Sequence, residues 1–200
     1  MSKYRFAPAY SHNLGSHTFV SWNHALSPDE CKQVIDIGQA KQLQDANVQS
    51  GNDESIRRSK VSWLGHHDAP WLYHRLEWVA QQLNGKFYQF DLWGFDEDMQ
   101  FTLYEGTDQG FYNWHLDMYN DVKNGIDQRR PRKLSMTIQL DDPSTYEGGD
   151  LLIHNGTEQV APKDLGQAVV FPSYVLHKVT PVTKGIRRSL VVWITGPQFH

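Results

Sequence analysis

"LSMTIQLDD" (residues 134–142) alternates apolar and polar side chains with the two-residue period of a β-strand. Such a strand has two different faces. One face is formed by Leu134, Met136, Ile138 and Leu140, and the other by Ser135, Thr137 and Gln139. Two structures fit this pattern: a surface strand of a sandwich with a solvated outer face, and a strand of an open barrel whose polar face lines a pocket.

Short segments of similar character fill the chain from about residue 86 onward. They are rich in β-branched and aromatic residues, and Gly, Pro, Asp and Asn separate them, which is typical of an antiparallel sandwich or barrel. The other segments are "KFYQFDLWGF" (86–95), "DMQFTLYEG" (98–106), "GDLLIHNG" (149–156), "GQAVVFPS" (166–173) and "RRSLVVWITG" (187–196). We therefore predict a β-rich core over residues 86–197.

Two helices are predicted ahead of this core. "ALSPDECKQVIDIGQAKQLQDA" (25–46) contains a helix start, in which Ser27 is a good N-cap and Glu30 completes a capping box. Apolar residues at helical spacing predict a second helix over residues 69–85, and the Asn-Gly pair at its end is expected to terminate it.

Composition sets the remaining bounds. No linker divides the chain, so we expect one domain over residues 1–200, with a helical N-terminal elaboration over about 20–85. The net charge of −4 argues against a nucleic-acid partner held by phosphate contacts. The single cysteine, Cys31, is typical of a reducing compartment, and no apolar stretch is long enough for a membrane span. We expect a cytoplasmic protein with neither nucleic acid nor membrane as a partner.

Candidate metal ligands stand at three positions. In "FYNWHLDMYND" (111–121), His115 and Asp117 are two residues apart and would project from the same face of a strand. His177 follows near the end of the chain. Two imidazoles and one carboxylate can hold one face of an octahedral metal, an arrangement typical of non-haem Fe(II), although zinc accepts the same ligands. Arg187 adds a guanidinium that can grip a carboxylate through two hydrogen bonds.

These residues carry a resemblance to a known family. The His115-x-Asp117 pair, the distal His177 and Arg187 resemble the site of the iron(II)/2-oxoglutarate-dependent dioxygenases, specifically the prolyl 4-hydroxylase-like group that includes the PKHD-type hydroxylases. The flanking segments that are similar to the family are "LSPDEC" (26–31), "RRSKVSWL" (57–64), "LYEGTDQGFYNWHLD" (103–117), "YEGGDLLI" (146–153) and "FPSYVLHKVTPVTKGIRRSLVVW" (171–193). The likeness covers about residues 20–197.

The resemblance implies a fold and a set of site residues. The fold is α+β, mainly β: a double-stranded β-helix (jelly-roll, cupin-like) core with the N-terminal helices packed on the major sheet. Arg187 would bind the distal carboxylate of 2-oxoglutarate, and Tyr112 would line the pocket only if its strand bends. The implied metal ligands are His115, Asp117 and His177, and the further co-substrate residues are Tyr104, Ser189, Gln139 and Trp193.

The resemblance also implies an activity. Fe(II), 2-oxoglutarate and O₂, with ascorbate as a further cofactor, would support hydroxylation with release of succinate and CO₂. The expected substrate is a prolyl residue of a peptide or protein, covered by residues 50–60 and 118–133, although the second segment equally fits a solvated loop.

Other functions remain open on the same pattern. They are hydroxylation of a free amino acid or another small molecule, whose carboxylate a cation of the segment 129–133 could bind, and a non-catalytic metal-binding jelly roll. A zinc hydrolase or a non-catalytic protein would leave Arg187 unexplained. A nucleic-acid demethylase is disfavoured, because such members of the family usually have a second arginine where this chain has Trp193.

Overall fold

Short antiparallel strands dominate the computed structural model, which describes residues 17–46, 53–118 and 130–198. The strands are β1 (Val20–Trp22), β2 (Gln44–Asp45), β3 (Arg57–Arg58), β4 (Lys60–Leu64), β5 (Met99–Glu105), β6 (Phe111–His115), β7 (Arg132–Gln139), β8 (Glu147–Gly148), β9 (Leu151–Asn155), β10 (Thr157–Val160), β11 (Ala168–Pro172), β12 (Leu176–Val179), β13 (Val182–Lys184) and β14 (Ile186–Thr195). The helices are α1 (Pro28–Ala40) and α2 (Pro70–Leu83).

Two sheets form the core of the described residues. The larger sheet has the order β1-β11-β7-β14-β5-β4-β2, and the smaller sheet has the order β10-β9-β12-β6-β3. β8 and β13 form a separate pair. All pairings between neighbouring strands are antiparallel. The mainly β, double-stranded β-helix prediction is therefore confirmed.

The two faces of β7 separate two environments. Met136 and Ile138 are fully buried in the main hydrophobic cluster, where they join Leu72 and Leu76 of α2. Ser135 lies on the opposite face and lines a cavity between the two sheets. Of the two structures that fit the alternation, the strand with a pocket-lining polar face is therefore the one observed.

The start of α1 forms as the sequence predicts. Ser27 Oγ accepts a hydrogen bond from the Glu30 amide at 3.2 Å, and the Glu30 carboxylate accepts one from the Ser27 amide at 2.8 Å. Two amides that an isolated helix end would leave unpaired are thus satisfied. Both helices pack on the apolar face of the larger sheet, as expected. No helix in the described ranges is long and apolar enough to cross a membrane.

The prediction for residues 86–95 is wrong. Helical winding does not end at the Asn84-Gly85 pair, because a π-helical turn continues it over Asn84–Tyr88. The left-handed residue that ends this turn is Gln89, with φ of 54°. The Asn84 side chain also donates to the Phe90 carbonyl and accepts from the Phe90 amide, both at 2.9 Å. These bonds hold the backbone at the start of the following segment, which pairs with β14 only through an isolated bridge between Gly94 and Thr195.

The N-terminal region contributes strands as well as helices. Residues 57–64, expected as a strand, form β3 in the smaller sheet and β4 in the larger one, and β1 and β2 also join the larger sheet. The segment 118–133 ends earlier than predicted, since Arg132 and Lys133 are buried and belong to β7. Residues 119–129 and 50–52 of the two expected covering segments lie outside the described residues.

The contact between α1 and the larger sheet predicts a stability effect. A Cβ atom at Gly38 would lie 2.4 Å from the Phe101 ring, which is fully buried. We expect Gly38→Ala to lower the free energy of unfolding by about 1–3 kcal/mol, because overpacking outweighs the gain in helix propensity. Gly85→Ala is the matched control, since nothing lies within 4 Å of its added Cβ. Urea unfolding measures both variants, and a Gly38→Ala protein as stable as the wild type would contradict this packing.

Candidate metal centre

His115 and His177 are brought together by strand pairing. His115 ends β6 and His177 lies on β12, and the two residues are direct partners in the antiparallel register. Their imidazole centroids are 4.1 Å apart. Sixty-two positions separate them in the chain (177 − 115), so the smaller sheet creates this half of the site.

Asp117 reaches the histidines from a bend rather than from a strand. β6 ends at His115, so strand alternation, the basis of the sequence prediction, does not itself place the carboxylate. The amides of Asp117 and Met118 both donate to the Ser173 carbonyl, at 3.0 and 3.1 Å. This carbonyl belongs to the turn between β11 and β12. Its two hydrogen bonds hold the backbone of Asp117 and Met118 next to β12, the strand that carries His177.

The ligand atoms converge. His115 Nε2 lies 3.7 Å from Asp117 Oδ1, and His177 Nε2 lies 3.5 Å from Asp117 Oδ2. Among the described residues, His115, Asp117 and His177 form a group of possible metal ligands whose ligand atoms all lie within 4.8 Å of one another. The separations suit a single ion held between the three side chains.

Both imidazoles are oriented for metal binding. His115 Nδ1 lies 2.7 Å from the Asn113 carbonyl, and His177 Nδ1 lies 2.9 Å from the Val175 carbonyl. A carbonyl oxygen only accepts hydrogen bonds, so each Nδ1 carries a proton, and the neutral form of each ring directs the Nε2 lone pair toward the other ligands. Backbone carbonyls that fix the tautomer in this way are common around histidine metal ligands.

The electrostatics favour the metal-binding protonation states. Burial lowers the pKa of His115, and the neighbouring His177 lowers it further. Burial alone would raise the pKa of Asp117, but His177, His115 and Arg132 together outweigh it and hold that pKa below its ordinary value. At neutral pH the site therefore contains a neutral His115 imidazole and an ionised carboxylate, which are the forms that coordinate a metal.

Arg187 faces the same cavity from β14. Its side chain is buried, its guanidinium lies 5.3 Å from the Tyr104 ring centroid, and its Nη1 donates to Ser189 Oγ at 3.4 Å. Within the described ranges its Nε has no hydrogen-bond partner, and no carboxylate forms an ion pair with it. A buried cation with a free donor suits a carboxylate ligand, so the residues present fit 2-oxoglutarate.

The remaining predicted pocket residues divide into two groups. Tyr104, Ser189 and Trp193 line the metal cavity with Arg187. Gln139 lies in a neighbouring small pocket, where its amide donates to the Tyr146 hydroxyl. Their roles toward a co-substrate remain predictions.

Tyr112 joins the site through a β-bulge. The register between β6 and β12 shifts between the His115–His177 and Tyr112–Val179 pairs, which places two residues of β6 against one of β12. Tyr112 and His115 therefore share a face despite their odd spacing, and their rings stack at 3.5 Å between centroids. The sequence predicts that Tyr112 lines the pocket only if its strand bends, and the β-bulge provides this bend.

Sequence reasoning missed several cavity residues. Arg57 is buried and lies 4.5 Å over the Tyr112 ring, while Trp63 stands 6.2 Å from Trp193 and is 40% exposed. Arg132 packs 3.7 Å over the Trp193 ring and forms an ion pair with Glu97. Local spacing in "RRSKVSWL" gives no signal for these positions, because Arg57 and Trp63 lie on different sheets and only the observed strand order shows that this segment borders the site.

Comparisons with known proteins agree with this geometry. The profile of the 2OG-Fe(II) oxygenase superfamily matches residues 99–195. A PKHD-type hydroxylase from Colwellia psychrerythraea is 27% identical over 174 residues, which are 84% of this chain and 74% of that protein. One from Alteromonas mediterranea is 44% identical over 85 residues, which are 42% of this chain and 37% of that relative's length.

Solved structures share the fold. A Pseudomonas putida prolyl-4-hydroxylase superposes with a TM-score of 0.69 at 24% identity, covering 92% of this chain and 95% of that one. A Trichoplax adhaerens prolyl hydroxylase, solved with a peptide fragment of hypoxia inducible factor, gives 0.72 at 16% identity, covering 90% and 84%. The superfamily profile is matched across the ligand-bearing strands, so residues 99–195 match the 2OG-Fe(II) oxygenase superfamily and the chain is a homologue of the PKHD-type hydroxylases.

Proposed function

We propose that the protein is an Fe(II)- and 2-oxoglutarate-dependent hydroxylase of prolyl residues in a peptide or protein, with succinate and CO₂ as co-products. The observation that carries this proposal is that one cavity contains the His115, Asp117 and His177 ligand atoms together with Arg187, whose Nε has no hydrogen-bond partner among the described residues. Arg187 distinguishes this site from a plain metal site, because a buried guanidinium needs an anionic partner.

Each group of residues has a separate task. His115, Asp117 and His177 would hold Fe(II), and Arg187 would hold the distal carboxylate of 2-oxoglutarate. When bound, Fe(II) and 2-oxoglutarate supply the oxidation of an unactivated C–H bond by O₂. Ser189 accepts a hydrogen bond from Arg187 and thereby limits the directions in which the guanidinium can point.

The rim of the cavity supports a prolyl substrate. Trp63 and Trp193 present two neighbouring indole rings beside the metal ligands, and apolar ring faces are suited to pack on a pyrrolidine ring. Trp63 is partly exposed, so this subsite opens to solvent, as a site for a residue of a longer peptide requires. The names of the compared proteins, PKHD-type hydroxylase and prolyl hydroxylase with a bound peptide, support the same substrate class.

Two of the cations considered for a small-molecule substrate, Arg130 and Arg132, form ion pairs within the protein. Arg130 forms an ion pair with Asp96 at 2.9 Å, and Arg132 forms one with Glu97. A free amino acid would therefore have to compete with these carboxylates for its own carboxylate site. This argues for a peptide, whose backbone brings no such charge to the rim.

The metal ligands generate the first functional prediction. We expect Asp117→Ala and His177→Ala each to weaken Mn(II) binding by more than about 100-fold, which exceeds the usual effect of an outer-shell change. Both should abolish succinate release from 2-oxoglutarate, and circular dichroism should show a retained fold because the ligands line a cavity. His154→Ala is the matched control, since it is exposed and pairs with Leu176 beside His177. Wild-type Mn(II) affinity in both ligand variants would place the metal elsewhere.

The second functional prediction concerns Arg187. Lysine retains the charge but loses the two-point geometry, so Arg187→Lys should weaken 2-oxoglutarate binding to the Mn(II)-loaded protein about 10- to 100-fold, or roughly 1.5–3 kcal/mol. Mn(II) affinity should be unchanged. Arg188→Lys is the control, because Arg188 is paired with Asp141 on the other face of β14. Titration calorimetry measures both ligands, and an unchanged 2-oxoglutarate Kd in Arg187→Lys would remove this residue from the co-substrate site.

The substrate class is tested separately. A library of proline-containing peptides incubated with Fe(II), 2-oxoglutarate and O₂ should yield products that have gained one oxygen atom on proline, detected by mass spectrometry. Free proline should remain unmodified. Hydroxylation of free proline with none on any peptide would reject the peptide substrate while leaving the dioxygenase chemistry intact.

A further inference from the structure

We infer that Ser135, supported by Ser173, is a positioning residue that holds the Asp117 carboxylate in its metal-binding orientation. The inference rests on the metal centre proposed above and assigns a role to two residues that are not ligands themselves. Ser135 lies on the polar face of β7, and Ser173 lies in the turn between β11 and β12.

The contact to the ligand is short and enclosed. Ser135 Oγ donates to Asp117 Oδ2 at 2.6 Å, and Ser173 Oγ lies 3.0 Å from Ser135 Oγ. The two serines are 1% and 0% exposed. Because water cannot easily replace either hydroxyl, each of these hydrogen bonds determines where the carboxylate oxygen stands.

Hydrogen-bond chemistry fixes the direction of the chain. An ionised carboxylate only accepts, so the single proton of Ser135 is committed to Asp117. The Ser135 oxygen is then left to accept, and Ser173 supplies the proton across the 3.0 Å contact. The chain therefore runs from Ser173 through Ser135 to Asp117, and no alternative arrangement satisfies all three groups.

Ser173 also holds the backbone of the ligand. Its carbonyl accepts from the Asp117 and Met118 amides, and its own amide donates to the Lys133 carbonyl at 3.0 Å. His177 follows only four positions later (177 − 173), so one turn sets the position of two ligands relative to each other.

The bend after β6 makes this support necessary. Asp117 lacks the pairing that fixes His115 in β6, so its side-chain torsions are set by contacts rather than by a strand. Ser135 restrains Oδ2, and Oδ1 remains directed toward His115 Nε2. Without the hydroxyl the carboxylate would be free to rotate, and binding a metal would require ordering it again.

The experiment measures metal affinity rather than turnover. We expect Ser135→Ala to raise the Mn(II) Kd by about 10- to 100-fold, the usual effect of losing an outer-shell partner, by titration calorimetry and by electron paramagnetic resonance of free Mn(II). The 2-oxoglutarate Kd at saturating Mn(II) should not change, because Arg187 is untouched. Ser135→Thr retains the hydroxyl and should restore affinity. Ser62→Ala is the matched control, since it loses a buried serine hydrogen bond of 2.7 Å to the Gly38 carbonyl, away from the metal cavity.

Two further variants separate the outcomes. His177→Ala serves as the reference for a lost ligand: if it binds Mn(II) like the wild type, the proposed metal centre itself fails. If only Ser135→Ala binds like the wild type, with a wild-type melting temperature of the metal-free protein, the positioning role is overturned. If Ser135→Ala does not fold, Ser173→Ala decides, because a raised Mn(II) Kd supports the relay and an unchanged one refutes it.

Discussion

The buried carboxylate of Asp117 is the constraint around which the interior between the two sheets is arranged. An ionised group removed from water is costly unless charges and donors surround it. Here two imidazoles, the Ser135 hydroxyl and the field of Arg132 provide that surrounding. These groups come from three strands that are distant in the sequence, so satisfying one charge ties β6, β7 and β12 together. The requirements of folding and of metal binding therefore coincide at a single side chain.

β7 and β14 transmit this arrangement to the rest of the molecule. On one side their residues join the helices in the main cluster, and on the other they present hydroxyls and guanidinium groups to the cavity. The helices consequently support the site from behind, because a shift of α1 or α2 would displace the apolar side chains of these strands and with them the strands themselves. The site lies between the two sheets, and the packing of α1 and α2 supports the larger sheet on its other face.

Much of this could be predicted from sequence where a rule of local spacing applied. Alternation in residues 134–140 separated the two faces of β7, and the order of His115, Asp117, His177 and Arg187 identified the site. The errors fall where side-chain hydrogen bonds or the order of the strands in the sheets override the local pattern. Gln89 rather than Gly85 ends the winding after α2, because Asn84 is bound to Phe90. The bulge that aligns Tyr112 with His115, and the place of Trp63 beside Trp193, depend on sheet order, which no window of the sequence contains.

The paired arginines of β14 have a consequence for insertions and deletions. Arg187 enters the cavity, and Arg188 pairs with Asp141 on the opposite face. Two adjacent arginines suggest that Arg188 could replace Arg187. A one-residue register shift of β14 that moved Arg188 into the place of Arg187 would keep a cation in the cavity. All the remaining side chains of the strand would also exchange faces. Leu190 would then replace Ser189 beside the guanidinium, and Trp193 would be driven into the helix-facing core. The second arginine thus offers no redundancy, and the length of the turn around Gly185 should tolerate neither gain nor loss of a residue.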